Sequence, residues 1–203
     1  MNSITLDQAQ VTPSKVVCIG RNYAEHIAEL GNEVPTEPVI FIKPNSAIAP
    51  QLRTDGHDEV HYEGEITFLV KAGVLAAVGF GLDLTKRALQ TRLKEKGLPW
   101  ERAKAFDGAA VFSDFVSYPG ALEDLRLELH INGTLTQSGG CRMMIHSPEQ
   151  VLEEAGSFLT LEDGDLIMTG TPRGVGKIAT GDTFTGKIFA KDTLLVEATW
   201  HVL

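Results

Sequence analysis

Short runs of β-branched and aromatic residues recur along the chain, and glycine, proline, asparagine or aspartate stands at the ends of most of them. Runs of this length and composition are typical of strands rather than helices. They predict strands over residues 15–19, 38–42, 66–70, 111–115, 165–169, 183–189 and 194–200.

The clearest local signal is the dipeptide Asn132-Gly133, which separates two segments of alternating apolar and polar residues, 126–131 and 134–136. Asn-Gly readily supplies the two positive φ angles of a type I′ turn. The pattern therefore predicts a β-hairpin at this point.

Helical patterns interrupt the strands at three places. Residues 23–30 end at Gly31, and residues from about 85 to 96 end at Gly97, a residue type that accommodates a left-handed cap. A third helix opens with Ser147-Pro148-Glu149-Gln150, which joins a capping box to proline at the first helical position. Because the strands outnumber the helices and do not alternate with them, we predict a β-rich α+β fold.

Composition limits the classes of function. The chain has 203 residues, 43% of them hydrophobic, and no repeat or linker, so we expect one domain over residues 1–203. Its net charge of −9 disfavours a nucleic-acid or anionic-membrane partner. No apolar run approaches the roughly 18 residues that cross a bilayer, residues 1–10 carry no targeting pattern, and two cysteines cannot make a disulfide framework. We therefore expect a cytoplasmic protein.

Several common site motifs are missing. Gly79-Phe80-Gly81 lacks the third glycine of a dinucleotide-binding fingerprint, and residues 170–177 match a phosphate-binding loop only in part. No Gly-x-Ser-x-Gly segment exists, so the sequence shows no serine nucleophile of that type.

The segment His61-Tyr62-Glu63-Gly64-Glu65 precedes a predicted strand and carries the most informative chemistry. Residues two apart on a strand face the same side, so the carboxylates of Glu63 and Glu65 project together. They repel each other unless water or a cation separates them, which leaves a solvated edge strand and a metal site as alternatives. Asp83 either completes the set or caps the second helix. Three carboxylates suit Mg²⁺ or Mn²⁺ better than Zn²⁺.

Two further groups are ambiguous from local pattern alone. His26 and Glu29 lie three residues apart on a predicted helix and therefore share a face, which usually means a surface contact. Lys104 lies in a polar stretch, where a solvated lysine is the ordinary interpretation.

Five motifs in one order change this picture. The motifs are Gly20-Arg21-Asn22-Tyr23-Ala24-Glu25-His26, His61-Tyr62-Glu63-Gly64-Glu65, Asp83-Leu84-Thr85, Gly97-Leu98-Pro99-Trp100 with Lys104, and Thr169-Gly170-Thr171-Pro172-Arg173-Gly174-Val175-Gly176. Together they resemble the fumarylacetoacetate hydrolase family, in its short branch of acylpyruvate hydrolases. The resemblance extends over residues 16–189.

The resemblance implies a mixed β-roll with a few short helices, usually as a homodimer. It implies Mg²⁺ or Mn²⁺ held by Glu63, Glu65 and Asp83, and hydrolysis of a C–C bond in acylpyruvate-type β-diketo acids to pyruvate and a carboxylate. Two departures concern the substrate. Ala88 stands where members often carry an acidic residue, and the shortened connection after Glu65 predicts a loop over residues 71–76.

The same resemblance implies roles for individual residues. His26 and Glu29 match the pair that activates water on a lid helix, and Lys104 matches a cation beside the developing enolate. The implied substrate contacts are Arg21, Arg87, Gln90 and Thr171. Gly174 and Gly176 are expected to allow close approach of the backbone.

Three alternatives stay open at this point. Decarboxylation of oxaloacetate passes through the same enolate without activated water, so it is expected as a side activity. Related branches of the family isomerise or decarboxylate hydroxy-diene dicarboxylates of aromatic catabolism. A catalytically inactive member would only bind a keto-acid. The presence of both His26 and Glu29 favours hydrolysis, because proton shuffling alone needs no activated water.

Overall fold

A computed structural model of the chain describes residues 1–31, 33, 35–54 and 59–203. The strands β1 to β16 are, in order, Ile4–Leu6, Ala9–Val11, Lys15–Gly20, Val39–Pro44, Val60–Tyr62, Gly64–Lys71, Val74–Asp83, Thr85–Lys86, Ala110–Phe112, Val116–Ser117, Leu125–Ile131, Thr134–Gly140, Leu166–Met168, Gly176–Lys177, Thr183–Ala190 and Thr193–His201. The helices α1 to α4 are Ala24–Glu29, Arg87–Glu95, Glu101–Lys104 and Pro148–Phe158. Short 3₁₀ turns cover Asn45–Ala47, Leu122–Asp124 and Cys141–Met143. None of the described helices combines the length and apolar character needed to span a membrane.

The strands form two principal sheets. The larger has the order β10-β7-β6-β13-β3-β4, with β9 also paired to β7, and the smaller has the order β12-β11-β15-β16. Strands β14, β5 and β8 form a small third sheet, and β1 pairs with β2. Among the described strand pairs only β13 with β3 is parallel. This arrangement confirms the predicted β-rich α+β fold.

The core lies between the two principal sheets. Ile66, Phe68 and Phe80 of the larger sheet pack with Phe184 and other apolar residues of the smaller one. Helix α4 covers another face of the larger sheet through a separate apolar cluster that includes Val151 and Ala155. Strand β6 therefore runs through the interior, with each of its residues except the last buried.

The predicted hairpin and helix ends are confirmed. Asn132 and Gly133 have φ values of 52° and 81°, and they join β11 to β12. The capping box of α4 is present, with the Ser147 side chain accepting a hydrogen bond from the Gln150 amide. Gly97 follows the second helix with a φ of 61°.

Three sequence predictions were wrong in detail. The predicted strand 111–115 breaks after Phe112, because the Ser113 hydroxyl, rather than a carbonyl, accepts the Phe80 amide hydrogen bond. The predicted helix start at residue 85 is displaced, because Thr85 pairs with β5. The predicted loop 71–76 is only a two-residue turn in which Ala72 and Gly73 have positive φ angles.

Asp165 joins the beginning of β13 to the beginning of β3. This buried carboxylate forms a 2.5 Å ion pair with Lys15 Nζ and accepts hydrogen bonds from the Ser14 hydroxyl and from the Ser14, Lys15 and Glu162 amides. Burial alone would raise the pKa of Asp165. The Lys15 ammonium and these donors outweigh burial and hold the pKa below its ordinary value.

We predict that Asp165→Asn lowers the free energy of unfolding by about 2–3 kcal/mol at neutral pH, because charge-assisted hydrogen bonds are lost. A depressed carboxyl pKa stabilises the fold above the unfolded-state value of about 4 and loses this effect as the pH falls through the folded-state value. The difference between the native protein and the variant should therefore shrink in acid. Urea unfolding at a series of pH values measures it.

The control is Asp192→Asn at an exposed position, for which we expect a change within about 0.5 kcal/mol. A difference between the native protein and Asp165→Asn that does not vary with pH would contradict the assigned role of the Asp165 charge.

Candidate functional site

Backbone pairing brings three carboxylates together at one end of the larger sheet. Glu63 lies between β5 and β6, Glu65 is the second residue of β6, and Asp83 ends β7. The Asp83 amide donates to the Glu63 carbonyl at 2.8 Å, which holds these two backbone segments side by side. One oxygen from each carboxylate lies within 4.8 Å of the others. Three carboxylate groups therefore lie close together at this site.

Burial decides between the alternatives that the sequence left open. Glu65 and Asp83 are each 1% exposed, so a solvated edge strand is excluded. The residue that precedes α2 at its cap is Lys86, so Asp83 is not a helix cap. Gly64, between the two glutamates, packs tightly, since a Cβ there would lie 3.0 Å from the Phe80 ring.

Lys104 neutralises two of these carboxylates. Its Nζ atom lies 2.8 Å from Glu63 Oε2 and 2.7 Å from Asp83 Oδ2, and it donates to the Thr85 hydroxyl at 2.7 Å. The residue is 3% exposed, so the interpretation as a solvated lysine is excluded. Arg87 adds a second cation through its hydrogen bond to Glu63 Oε1.

Lys43 is a third cation of the site, which sequence reasoning missed. Its Nζ atom lies 2.8 Å from Asp83 Oδ1, as an ion pair without hydrogen-bond alignment, and it donates to the Lys104 carbonyl. The side chain is fully buried. Lys43 therefore holds both Asp83 and the backbone that carries Lys104. The only signal in the sequence is its position directly after the apolar run Val39–Ile42.

The electrostatic environment differs among the acidic groups. Burial raises the pKa of Glu65, and the Asp83 and Glu63 carboxylates raise it further. The Lys104 charge and the Gly170 amide at 2.8 Å act to lower this pKa but do not outweigh the other causes. Burial also acts to raise the pKa of Glu63, but Lys104 and Arg87 hold it well below its usual range. Glu65 is therefore the carboxylate whose charge the protein compensates least.

Lys104 itself stays protonated. Burial acts to lower its pKa, but the Asp83 and Glu63 carboxylates raise it above the ordinary lysine value. A permanent ammonium group at this point can stabilise negative charge that develops on a bound molecule.

The donor set of Glu63, Glu65 and Asp83 fits a divalent cation. Three converging carboxylates with an unneutralised member suit a hard ion that takes oxygen ligands, such as Mg²⁺ or Mn²⁺. Among the residues that the structure describes, these three are the group of acidic, histidine or cysteine side chains whose possible ligand atoms lie close enough to share one ion.

A small cavity of about 30 Å³ lies beside the acidic group. It is lined by six of the predicted site residues, namely Arg21, His26, Glu63, Arg87, Gln90 and Lys104. Phe41, Trp100 and Lys104 also line a larger outer cleft of about 570 Å³. The shared lining residues place the cavity directly next to the cleft, which offers a route for a small molecule.

The predicted pair on α1 is formed. His26 Nδ1 lies 3.2 Å from Glu29 Oε2, and His26 is buried although Glu29 is partly exposed. Both carboxylate oxygens of Glu29 also accept from the Gly174 amide, at 3.0 and 3.2 Å. Gly174 has a φ of 102°, and a Cβ there would lie 2.3 Å from the Thr136 carbonyl. The close backbone approach expected at Gly174 is therefore present.

The start of α1 is held by a residue that sequence reasoning did not single out. Asn22 is buried, its amide group donates to the Thr169 and His146 carbonyls, and its oxygen accepts from the His146 amide at 2.8 Å. Arg21, directly before it, adopts a left-handed backbone with a φ of 58°, which is costly for a non-glycine residue. This turn brings Arg21 to the cavity.

Thr171 lies apart from the other predicted substrate contacts. Its hydroxyl donates to the Gly64 carbonyl at 2.9 Å and accepts from Gln137 Nε2 at 2.9 Å. Gln137 is buried and also accepts from the Gly64 amide, so it fixes the backbone between the two glutamates. Gln137 could not be recognised from local sequence pattern, because its hydrogen-bond partners are more than 30 residues away.

Comparison with known proteins finds relatives that match this chain over most of its length. An oxaloacetate tautomerase of Escherichia coli, YcgM, is 40% identical over 190 residues, which cover 85% of this chain and 87% of the relative. A candidate fumarylacetoacetate isomerase/hydrolase from Oleispira antarctica has 37% identity and a TM-score of 0.94, with both chains covered completely. Fumarylpyruvate hydrolase from Pseudomonas aeruginosa, solved with Mn²⁺ and pyruvate, has 29% identity and a TM-score of 0.89, with 100% of this chain and 95% of that chain covered.

The family model described as "Fumarylacetoacetate (FAA) hydrolase C-terminal" matches residues 15–199, which is nearly the whole chain. The match includes every residue of the acidic group and of the cavity lining described above. This chain belongs to the fumarylacetoacetate hydrolase family.

Proposed function

We propose that the protein is a divalent-metal-dependent enzyme that interconverts the keto and enol forms of oxaloacetate or a close 2-oxo acid. The observation that carries this proposal is the Lys104 ammonium, which is buried between Glu63 and Asp83 and lines the cavity. A fixed cation beside an acidic metal-binding group favours an enolate, the species through which keto and enol forms exchange. The similarity to YcgM supports oxaloacetate as the substrate.

In this proposal Glu63, Glu65 and Asp83 hold Mg²⁺ or Mn²⁺. When bound, the ion would polarise the 2-oxo group and help to neutralise the substrate carboxylate. The similarity to a fumarylpyruvate hydrolase solved with Mn²⁺ supports this assignment.

The side chains of the cavity supply the remaining steps. Arg87 and Gln90, which are joined by a 2.9 Å hydrogen bond, orient the substrate carboxylate next to the 2-oxo group. His26 removes a proton from C3, the electron pair of that C–H bond forms the C2–C3 double bond, and the π pair of the carbonyl moves onto the 2-oxo oxygen. Lys104 stabilises the resulting enolate, and return of the proton from His26 to the enolate oxygen completes the enol. The reverse sequence returns the keto acid.

The His26–Glu29 pair supports acylpyruvate hydrolysis as a second candidate function. A carboxylate that holds Nδ1 leaves Nε2 of the same imidazole to accept a proton from water. The water oxygen would attack the distal carbonyl carbon, and collapse of the adduct would break the C–C bond. Pyruvate would leave as the enolate stabilised by Lys104, and protonation at its carbon would complete the reaction.

Keto–enol exchange is tested with freshly dissolved enol oxaloacetate, Mg²⁺ or Mn²⁺, and the purified protein. We predict that the ultraviolet absorbance of the enol falls faster than in buffer, without an equal yield of pyruvate. Equal rates of enol loss and pyruvate release would instead make decarboxylation the main reaction. A higher kcat/KM for acylpyruvates than for oxaloacetate would put the second candidate first.

The metal assignment predicts the effect of Glu65→Gln on Mn²⁺ binding, measured by calorimetry. Removal of this ligand charge should weaken binding beyond the about 10- to 100-fold that is typical of outer-sphere changes. A chelator should abolish activity of the native protein. The matched control is Glu95→Gln at an exposed position on α2, which should leave Mn²⁺ affinity unchanged. Native affinity in Glu65→Gln, or full turnover in excess chelator, would overturn the assignment.

Substitutions of His26 and Lys104 distinguish the contribution of proton transfer from that of enolate stabilisation. His26→Ala should lower acylpyruvate hydrolysis and oxaloacetate tautomerisation by about 10²- to 10⁴-fold, as expected for loss of a general base. Decarboxylation of oxaloacetate breaks a C–C bond without that base and should fall far less. Lys104→Ala should damage all three reactions.

Rates should be compared at measured metal occupancy, because loss of the ion would mimic loss of chemistry. If His26→Ala depressed decarboxylation as strongly as hydrolysis, His26 would not be the base, and a role in substrate binding would replace it.

A further inference from the structure

Lys94 faces the cavity, although the motifs of the family resemblance did not single it out. It lies four residues after Gln90 and seven after Arg87, so the three side chains occupy one face of α2. All three line the cavity together with Lys104. Helix α2 therefore presents a second cation to the space that the 2-oxo acid is proposed to enter.

The end of α2 fixes the surroundings of this lysine. Gly97 donates to the Lys94 carbonyl at 3.0 Å and Leu98 donates to the Leu93 carbonyl at 2.9 Å, which together form a Schellman motif. The chain then turns back, and Trp100 places its ring 5.0 Å from Lys94 Nζ. The ammonium group therefore rests on an aromatic face, which holds its position and leaves its N–H donors available.

The charge of Lys94 has little local compensation. No carboxylate within residues 1–31, 33, 35–54 and 59–203 forms an ion pair with it at 4.0 Å or less. Partial burial is the largest of the causes that together lower the pKa of Lys94 to about 8. The positive charges of Arg21, Arg87 and Lys104 act in the same direction, and the Glu63 carboxylate acts against them. Four cationic side chains thus surround the cavity, and an anion that entered it would relieve their mutual repulsion.

We propose that Lys94 binds the distal carboxylate of the substrate and so selects 2-oxo diacids over 2-oxo acids with an uncharged end. The inference rests on the proposed function, because that function places the 2-oxo acid end of the substrate beside Lys104 and the acidic group. Lys94 lines the same cavity as Lys104, so its ammonium group is available to the distal carboxylate of a substrate held in this way. Arg21 contributes a further positive charge there.

The outer cleft offers the competing arrangement. Its lining is largely apolar and includes Val39, Ile40, Leu98 and Pro99. If the distal end of the substrate pointed into this cleft, the protein would favour substrates with an uncharged acyl group, and Lys94 would have little effect on binding. The two arrangements therefore predict different effects of a distal negative charge on binding affinity.

The test uses two unreactive 2-hydroxy acids that differ only at the distal end, racemic malate with a carboxylate and racemic 2-hydroxybutyrate with a methyl group. Calorimetry on the Mn²⁺-supplemented protein at pH 7, where Lys94 is mostly protonated, gives both dissociation constants. We expect malate to bind about 10- to 100-fold more tightly than 2-hydroxybutyrate, the range of a charge-assisted hydrogen bond. Lys94→Met should remove most of this preference and leave the 2-hydroxybutyrate constant within about threefold.

Two further variants complete the design. Lys94→Arg keeps the charge and should retain the malate preference. Lys96→Met removes the same charge from an exposed position two residues along the chain and should behave like the native protein. A malate preference that is absent from the native protein, or that persists in Lys94→Met, would overturn the assignment. Equal weakening of both ligands in Lys94→Met would also overturn it, since that result indicates a structural role.

Oxaloacetate turnover of the native protein is measured separately. If the protein bound malate through Lys94 but did not turn over oxaloacetate, the proposed function would fail and the anion site would stand. If it turned over oxaloacetate but Lys94→Met kept the malate preference, only the assignment of Lys94 would fail.

Discussion

Three carboxylates cannot be buried within 4.8 Å of one another unless positive charge is buried with them. Like charges at such a distance repel by several kcal/mol even at an effective dielectric constant of about 20. The compensating cations come from three separate elements: Lys43 from β4, Arg87 from α2 and Lys104 from α3. Strand β4 already belongs to the larger sheet, so helices α2 and α3 must dock on the end of that sheet to bring the other two cations to the site. The positions of the short helices follow from this requirement as much as from apolar packing.

The three carboxylate charges are compensated to different extents, and this difference bears on metal binding. Glu63 and Asp83 contact cations, whereas Glu65 receives the Gly170 amide and no side-chain cation among the described residues. A site with every charge paired would have little affinity for a further cation. One carboxylate left without a cation in a low-dielectric setting, beside two that share a lysine, would favour binding of a divalent ion, as the proposed function requires.

The alternating strands, the Asn132-Gly133 turn and the acidic motif around Glu63 could all be predicted, because each depends on residues close together in sequence. The start of α2 could not, since Thr85 is drawn into a strand by a partner 24 residues earlier. Lys43 could not be assigned either. A lysine after an apolar run ordinarily reaches solvent, and only the tertiary fold brings it to Asp83, 40 residues later in the chain. Local pattern thus finds the ligands of a site more readily than the residues that make their burial possible.

The contact between Glu29 and Gly174 has a consequence for how this site tolerates sequence change. The donor that orients Glu29 is a main-chain amide, which any residue except proline would supply. Most substitutions at position 174 would therefore keep the hydrogen-bond donor. They would not keep the backbone conformation, because the Thr136 carbonyl and a φ of 102° leave room only for hydrogen at the α-carbon. Under the proposed function, a genetic screen would record a substitution there as a loss of catalysis, although the glycine contributes no side chain to the reaction.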